Sequence, residues 1–253
     1  MPEILRSTQN RRIGLALSGG AVRGLAHIGV IKALHEWGIQ PVAIAGTSVG
    51  SIIGAALAAG MQWHEMAAMA KSVFWPQLLH GKTLEQFAAK HLPTTFERLR
   101  TPFAAVATVV PGNRPVALNT GSLSSAISAS CALRLLRRPV KRDGLDLKDG
   151  GFSCVLPSGV CRELGADLVI GSDVWEWSSL MRSLGCSPTD RRWTARAYAS
   201  HYRLAVAQTD IHIHPEIPAA GYLPGVAAVD RMIQVGERTA YRTLETLLNA
   251  KAA

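Results

Sequence analysis

Residues 44–54 read Ile-Ala-Gly-Thr-Ser-Val-Gly-Ser-Ile-Ile-Gly, which places Ser48 in a Gly-x-Ser-x-Gly pentapeptide between a short apolar run and a helix of small residues. Chance supplies such a pentapeptide in roughly one chain in ten of this glycine content, so its context has to carry the reading. A serine at such an elbow occupies a strained strand-to-helix turn, where Gly46 and Gly50 keep the crowded backbone free of side-chain clashes. The run Pro41-Val-Ala-Ile-Ala45, bounded by Gly38 and Gly46, has the length and composition of a buried strand. The stretch from Ser51 to Ala59, closed by Gly60, carries Ile52, Ile53, Ala55, Ala56 and Leu57 and reads as a buried helix. The pattern points to acyl-transfer chemistry at Ser48. The competing reading is an ordinary buried strand-to-helix turn rich in Gly and Ser.

Strands and helices alternate along the rest of the chain. Ile13-Gly-Leu-Ala-Leu17 predicts a first strand, and Arg23 to Trp37 repeats apolar residues at Leu25, Ile28, Ile31 and Leu34 before Gly38 stops the helix. Residues 62–100 read as helical, with Trp63, Met66, Met69, Phe74 and Trp75 forming an apolar surface that is either core or part of a lid. Phe103 to Val110 and Pro115 to Leu118 read as a strand pair around Pro111-Gly-Asn113, and 122–136 as a helix. Further helices are expected at 158–164, 193–207 and 226–249, with strands at 166–171 and 210–214. This order predicts an α/β fold in which helices cover both faces of a mostly parallel central sheet, a three-layer α/β/α arrangement.

A chain of 253 residues that is 48% hydrophobic, with a mean hydropathy of +0.14, can bury one large core. No apolar run approaches the roughly 18 residues that span a bilayer, and the first twelve residues lack the apolar core of a signal peptide, so a cytoplasmic chain is expected. Cys131, Cys154, Cys161 and Cys186 have no Cys-x-x-Cys spacing and no histidine pair at metal distance, which argues against a zinc site or a disulfide framework. No metal or cofactor is expected. The net charge of +9 favours anionic surfaces. Its densest stretch, Arg134-Leu-Leu-Arg-Arg-Pro-Val-Lys-Arg142, has no interleaved aromatics to stack on bases, so nucleic acid is excluded in favour of peripheral contact with an anionic membrane or a solvated loop.

A second glycine-rich turn, Ser18-Gly-Gly-Ala-Val-Arg-Gly24, lies between the first strand and its helix. Backbone N–H groups there could hold a phosphate or an oxyanion. The chain has no Gly-Lys-Ser/Thr, and Ala21 breaks the Gly-x-Gly-x-x-Gly spacing, so neither nucleotide signature fits. A serine elbow one strand-helix unit later favours the oxyanion use. To activate Ser48, a histidine could come from His201, His212 or His214, and none has a supporting local motif. His212 and His214 alternate in an expected strand and so share one face, as a ligand pair or as a polar strand edge. Asp149 in Leu147-Lys-Asp-Gly-Gly151 is the better-framed partner, because the glycines let the turn aim its carboxylate.

Together these three motifs resemble the patatin-like phospholipase family, in particular its bacterial members and the esterase domains related to neuropathy target esterase. The resemblance runs from about Ile13 to Val174. It rests on Leu15-Ala-Leu-Ser-Gly-Gly-Ala-Val-Arg-Gly-Leu-Ala-His-Ile-Gly-Val-Ile-Lys-Ala-Leu34, on Gly46-Thr-Ser-Val-Gly50, and on Asp149-Gly-Gly151 followed by Leu156-Pro157 and Glu163-Leu-Gly-Ala-Asp167. It implies a catalytic core at 13–174 with a C-terminal helical extension at 175–253 packed on the same domain. It also implies a metal-free, Ca2+-independent lipid acyl hydrolase with a Ser48–Asp149 dyad and no histidine. The N–H groups of Gly19, Gly20, Ala21 and Val49 would hold the oxyanion, with Arg23 bracing the loop and Gly24, Gly46, Gly50, Gly150 and Gly151 shaping the motifs. The substrate class would be a phospholipid or other acyl ester.

The chain departs from the family pattern in several places. Ala21 replaces a glycine, and Ser18 replaces an aspartate or glycine. Arg134, Arg137 and Arg138 replace residues of a proline-rich apolar turn, Lys148 an apolar residue, and Cys154-Val155 an Asn-Pro pair. Two other readings follow from the residues: a Ser-His-Asp esterase of small soluble esters, and a lipid-binding protein whose basic segment has abolished turnover.

Overall fold

The structure, a computed structural model, describes residues 11–73, 78, 82–133, 138–175, 201–217 and 225–252. Arg134, Arg137, Phe74, Trp75, Cys186 and the expected helical residues 193–200 lie outside them. Eight strands form one sheet whose pairing path is β5-β6-β3-β2-β1-β7-β8, with β4 added to β3. The strands are β1 (Ile13–Leu17), β2 (Ala43–Thr47), β3 (Phe103–Val110), β4 (Pro115–Leu118), β5 (Val140–Arg142), β6 (Leu145–Asp149), β7 (Leu168–Ser172) and β8 (Ile211–Ile213). The β1–β2, β2–β3, β1–β7 and β7–β8 pairs are parallel, whereas β4, β5 and β6 join antiparallel. Helices α1 (Ala26–Glu36), α2 (Val49–Ala58), α3 (Trp63–Ser72), α4 (Thr83–His91), α5 (Leu123–Ser130), α6 (Ser158–Glu163) and α7 (Val226–Ala252) surround it.

The two faces are assigned by the period of two along each strand. Leu15, Leu17 and Ile44 face one apolar cluster with residues of α1, α2, α5 and α7. Ala16, Ala43 and Ala45 face a second cluster with Cys161, Leu156 and Ala205. Small side chains on that second face let α6 approach closely, since a Cβ on Gly14 would lie 2.7 Å from that of Ala166 and 2.9 Å from that of Cys161. These are the three layers that the alternation implies, with the sheet mixed at one end. The 175–253 portion supplies β8 to this sheet and lays α7 along α1. There a Cβ on Gly29 would meet Ile233 O at 1.8 Å, and Lys32 pairs with Glu237 at 2.7 Å.

Strand β5 closes the basic segment and forms a hairpin with β6, neither of which the sequence reading assigned as a strand. The hairpin's turn is Asp143-Gly144, both at positive φ (50° and 75°), the backbone that a two-residue Asp-Gly hairpin requires. Alternation was hidden because Val140, Arg142 and Leu145 are only partly buried. The helix expected over 122–136 ends at Ser130, and Ala132 O instead accepts the Asp149 N–H at 3.0 Å.

The register of β3 explains how residues 101 positions apart meet. β4 pairs with Ala105–Thr108, overlapping both the β2 partners (Phe103–Val106) and the β6 partners (Ala107–Val110). It therefore occupies the opposite edge of β3, and β2 and β6 share the other edge end to end. β2 runs parallel to β3 and β6 antiparallel, so their C-terminal ends point at each other. Ser48 follows one end and Asp149 closes the other.

Candidate active site

Ser48 sits at φ 52°, ψ −124°, a sparsely populated conformation that holds its side chain out of the strand-to-helix turn. The flanking glycines are required by contact. A Cβ on Gly46 would lie 2.2 Å from Gly50 O, and one on Gly50 would lie 2.3 Å from Leu17 O. Ser48 Oγ donates to Asp149 Oδ2 at 2.7 Å. The other carboxylate oxygen accepts the Gly151 N–H at 2.8 Å, and Thr108 Oγ1 donates to Asp149 O at 2.9 Å. Gly150 is held to hydrogen by its surroundings, because a Cβ would lie 2.1 Å from Val106 O. Burial pushes the Asp149 carboxyl from 3.8 up to about 6, against the lowering effect of the hydrogen bonds from Ser48 and Gly151. The basicity that an ordinary aspartate lacks near neutrality is thereby supplied by desolvation.

Ser130, which the sequence reading did not single out, fills the gap between the two strand ends. Its hydroxyl donates to Val106 O at 2.6 Å and accepts the Ser48 N–H at 2.9 Å. The elbow is thus tied to β3 through a fully buried side chain. No local motif marks it. Only the junction of β2 with β6, where Val106 O loses a ladder partner, makes a hydroxyl useful there.

The glycine-rich turn lies beside the elbow. Gly19 N–H is bonded to Val155 O at 2.9 Å, so it departs from the expected donor set, and Ser48 N–H is taken by Ser130. Gly20, Ala21 and Val49 are the remaining donors of that set. Ala21 sits at φ 51°, in the left-handed region, a conformation that suits glycine and strains the alanine found here. Gly24 lets the turn lie against Val49, whose Cγ1 a Cβ there would meet at 2.2 Å. Arg23 is half-buried, and its N–H bonds Gly20 O at 3.2 Å. Below the turn, fully buried His27 bridges Ser18 O at 2.9 Å and Ser172 Oγ at 2.7 Å. Ser18 O can only accept, so Nε2 carries the proton, and burial lowers the imidazole to about 4, which keeps it neutral.

The three histidines considered as bases are placed elsewhere. His201 is exposed on the helical segment 201–207, while His212 and His214 approach Asp173 rather than Ser48. Of the departures from the family pattern, Lys148 Nζ donates to Asn113 Oδ1 at 2.6 Å and lies 4.5 Å from the Phe152 ring centre. Arg142 braces the loop before α5 through Ser122 O at 2.7 Å and through Thr120 O. Arg138 and Lys141 are exposed. The Cys154 and Cys161 thiols are pushed up to about 12 by burial.

Fold and site together define an α/β protein whose elbow serine is paired with a buried carboxylate rather than with a histidine. The chain belongs to the patatin-like phospholipase family, whose family model matches residues 15–158. It is 36% identical over 180 residues to an NTE family protein of Mycobacterium bovis, covering 66% of this chain and 50% of that protein. It is 32% identical over 190 residues to human patatin-like phospholipase domain-containing protein 6, covering 68% and 14% of the two chains. The lysophospholipase nte1 of Aspergillus fumigatus is 32% identical over 188 residues, covering 68% and 12%. The chain thus spans half the length of the mycobacterial relative and less of the others. Among solved structures, VipD from Legionella pneumophila shares the fold, with a TM-score of 0.58 at 16% identity over 93% of this chain and 67% of that one.

Proposed function

We propose that this chain is a serine lipid acyl hydrolase acting through a Ser48–Asp149 dyad and an acyl-enzyme. The carrying observation is the 2.7 Å hydrogen bond from the strained elbow serine to a buried carboxylate whose proton affinity is raised. In the first step Ser48 Oγ attacks the ester carbonyl carbon while its proton passes to Asp149 Oδ2. The oxyanion is received by backbone N–H groups drawn from Gly20, Ala21 and Val49, each worth on the order of a hundredfold in rate. Collapse expels the alcohol, which takes the proton from Asp149. Water then attacks the acyl-serine, giving its proton to Asp149, and release of the acid returns that proton to Ser48.

A lipid substrate is supported by the phospholipase and lysophospholipase names of relatives and by the exposed apolar side chains Leu133 and Phe152 on the segments flanking Asp149. Among the described residues no helix is long and apolar enough to cross a membrane, and exposed Arg138 and Lys141 suit peripheral contact with an anionic surface. The test is labelling by a fluorophosphonate probe together with hydrolysis of phospholipid and lysophospholipid vesicles, anionic and neutral. Ser48→Ala should abolish both labelling and hydrolysis. Folded wild type that takes no label at Ser48 would sink the enzymatic reading and favour a lipid-binding role.

A further inference from the structure

Edge strand β8 carries His212 and is followed at once by His214, and the strand beside it, β7, is followed by the fully buried Asp173. β7 and β8 run parallel with Ser172 opposite Ile213. The residues that follow, Asp173 and His214, therefore share one face of the sheet with His212, two positions back. Ser172 and Ile213 project to the other face, where Ser172 meets His27 and Ile213 enters the core.

On the shared face, Asp173 Oδ2 lies 3.0 Å from His212 Nε2 and 3.7 Å from His214 Nδ1. The three ligand atoms all fall within 4.8 Å of one another. Ligands of a tetrahedral zinc ion with bonds near 2.0–2.1 Å are held about 3.3 Å apart, so these separations bracket the required one. The carboxylate is already aimed. Trp175 N–H holds Asp173 Oδ1 at 2.9 Å, and the Tyr202 hydroxyl donates to Oδ2 at 2.5 Å, the outer hydrogen bonds that orient a ligating carboxylate. His214 Nδ1 is the second observation. The nitrogen is buried, and its nearest acceptor among the described residues, Asp173 Oδ2 at 3.7 Å, lies beyond hydrogen-bond range, a gap that an ion between them would fill.

We propose that Asp173, His212 and His214 bind one divalent transition metal of the zinc class. Two imidazoles and one carboxylate suit zinc, cobalt or iron. An all-oxygen cation such as calcium or magnesium would leave the ring nitrogens unused. The ion pins β8 to the end of β7, directly behind the glycine-rich turn, because Val174 N–H bonds Ser18 Oγ at 2.9 Å and Val174 Cγ2 lies 2.7 Å from where a Gly20 Cβ would stand. Its role is to hold that turn, and it takes no part in the Ser48 chemistry, so the inference stands independently of the proposed activity.

The experiment uses the full chain, stripped with chelator and titrated with Zn2+ by calorimetry, with metal content measured after dialysis and Co2+ substituted for its visible spectrum. One equivalent is expected in wild type, with a rise in the thermal midpoint and tetrahedral cobalt bands. His214→Ala and His212→Ala should weaken binding at least tenfold and cancel the midpoint rise. Exposed His201→Ala should change neither. Substoichiometric uptake by wild type, or full uptake by both the His212 and His214 variants, would overturn the proposal. Circular dichroism of the metal-free variants guards against misfolding, and His214→Gln, which keeps volume and polarity, must lose metal as His214→Ala does.

Discussion

Replacing Asp149 by asparagine should act on stability and on catalysis in opposite directions. The fold buries this carboxyl and raises it from 3.8 to about 6. Below pH 4 it is protonated in both folded and unfolded chains and contributes no difference. Between pH 4 and 6 the folded chain holds a proton that the unfolded chain has lost, so stability falls as pH rises. Above pH 6 the folded chain carries the buried charge at its full penalty of about 3 kcal/mol, the free-energy equivalent of that rise. Asparagine keeps an oxygen for Gly151 N–H and carries no charge. In urea denaturation Asp149→Asn should therefore exceed wild type by up to about 3 kcal/mol at pH 8, with the advantage vanishing near pH 4, while hydrolysis falls roughly a hundred- to ten-thousandfold. An asparagine variant that is no more stable than wild type at pH 8, or whose advantage is the same at pH 4, would refute the argument that burial raises this carboxyl.

Three more outcomes follow from the same geometry. The acid limb of kcat/KM should bend near pH 6 and fall tenfold per pH unit below it, because only ionised Asp149 accepts the Ser48 proton; a profile flat to pH 4.5 would remove Asp149 as the base. Ser130→Ala leaves Ser48 N–H and Val106 O without their shared partner, so folding stability should drop by about 1–3 kcal/mol and fluorophosphonate labelling should slow, with partial recovery in Ser130→Cys. Equal labelling rates for wild type and alanine variant would reduce Ser130 to a packing role. Ala21→Gly should raise the chemical-denaturation midpoint by an amount worth about 1 kcal/mol, since φ 51° strains alanine and suits glycine; a lowered midpoint would count against the left-handed turn.

Local chemistry made much of this protein legible. The Gly-x-Ser-x-Gly spacing carries its own steric logic, since Gly46 and Gly50 are needed wherever a strand turns this sharply into a helix, and the continuous apolar runs of β1, β2 and β7 suit a parallel sheet buried on both faces. Asp149 could be nominated because the two glycines after it shape its turn. The β5–β6 hairpin was also written locally, in Asp143-Gly144, but β5 is only three residues long and partly exposed, too short to announce a strand.

What the sequence could not supply are relations between strand ends. That β2 and β6 abut along one edge of β3, bringing Ser48 to Asp149 and creating the gap that Ser130 closes, depends on pairing partners that are distant in sequence. The same holds for Gly19, whose N–H is taken by Val155, and for His212 and His214, whose common face was legible while their partner Asp173 was not. Side-chain type and local turn geometry are properties of neighbours along the chain. Register, burial and the proton affinity that burial confers are properties of the assembled sheet, which alone decides how strongly Asp149 holds a proton.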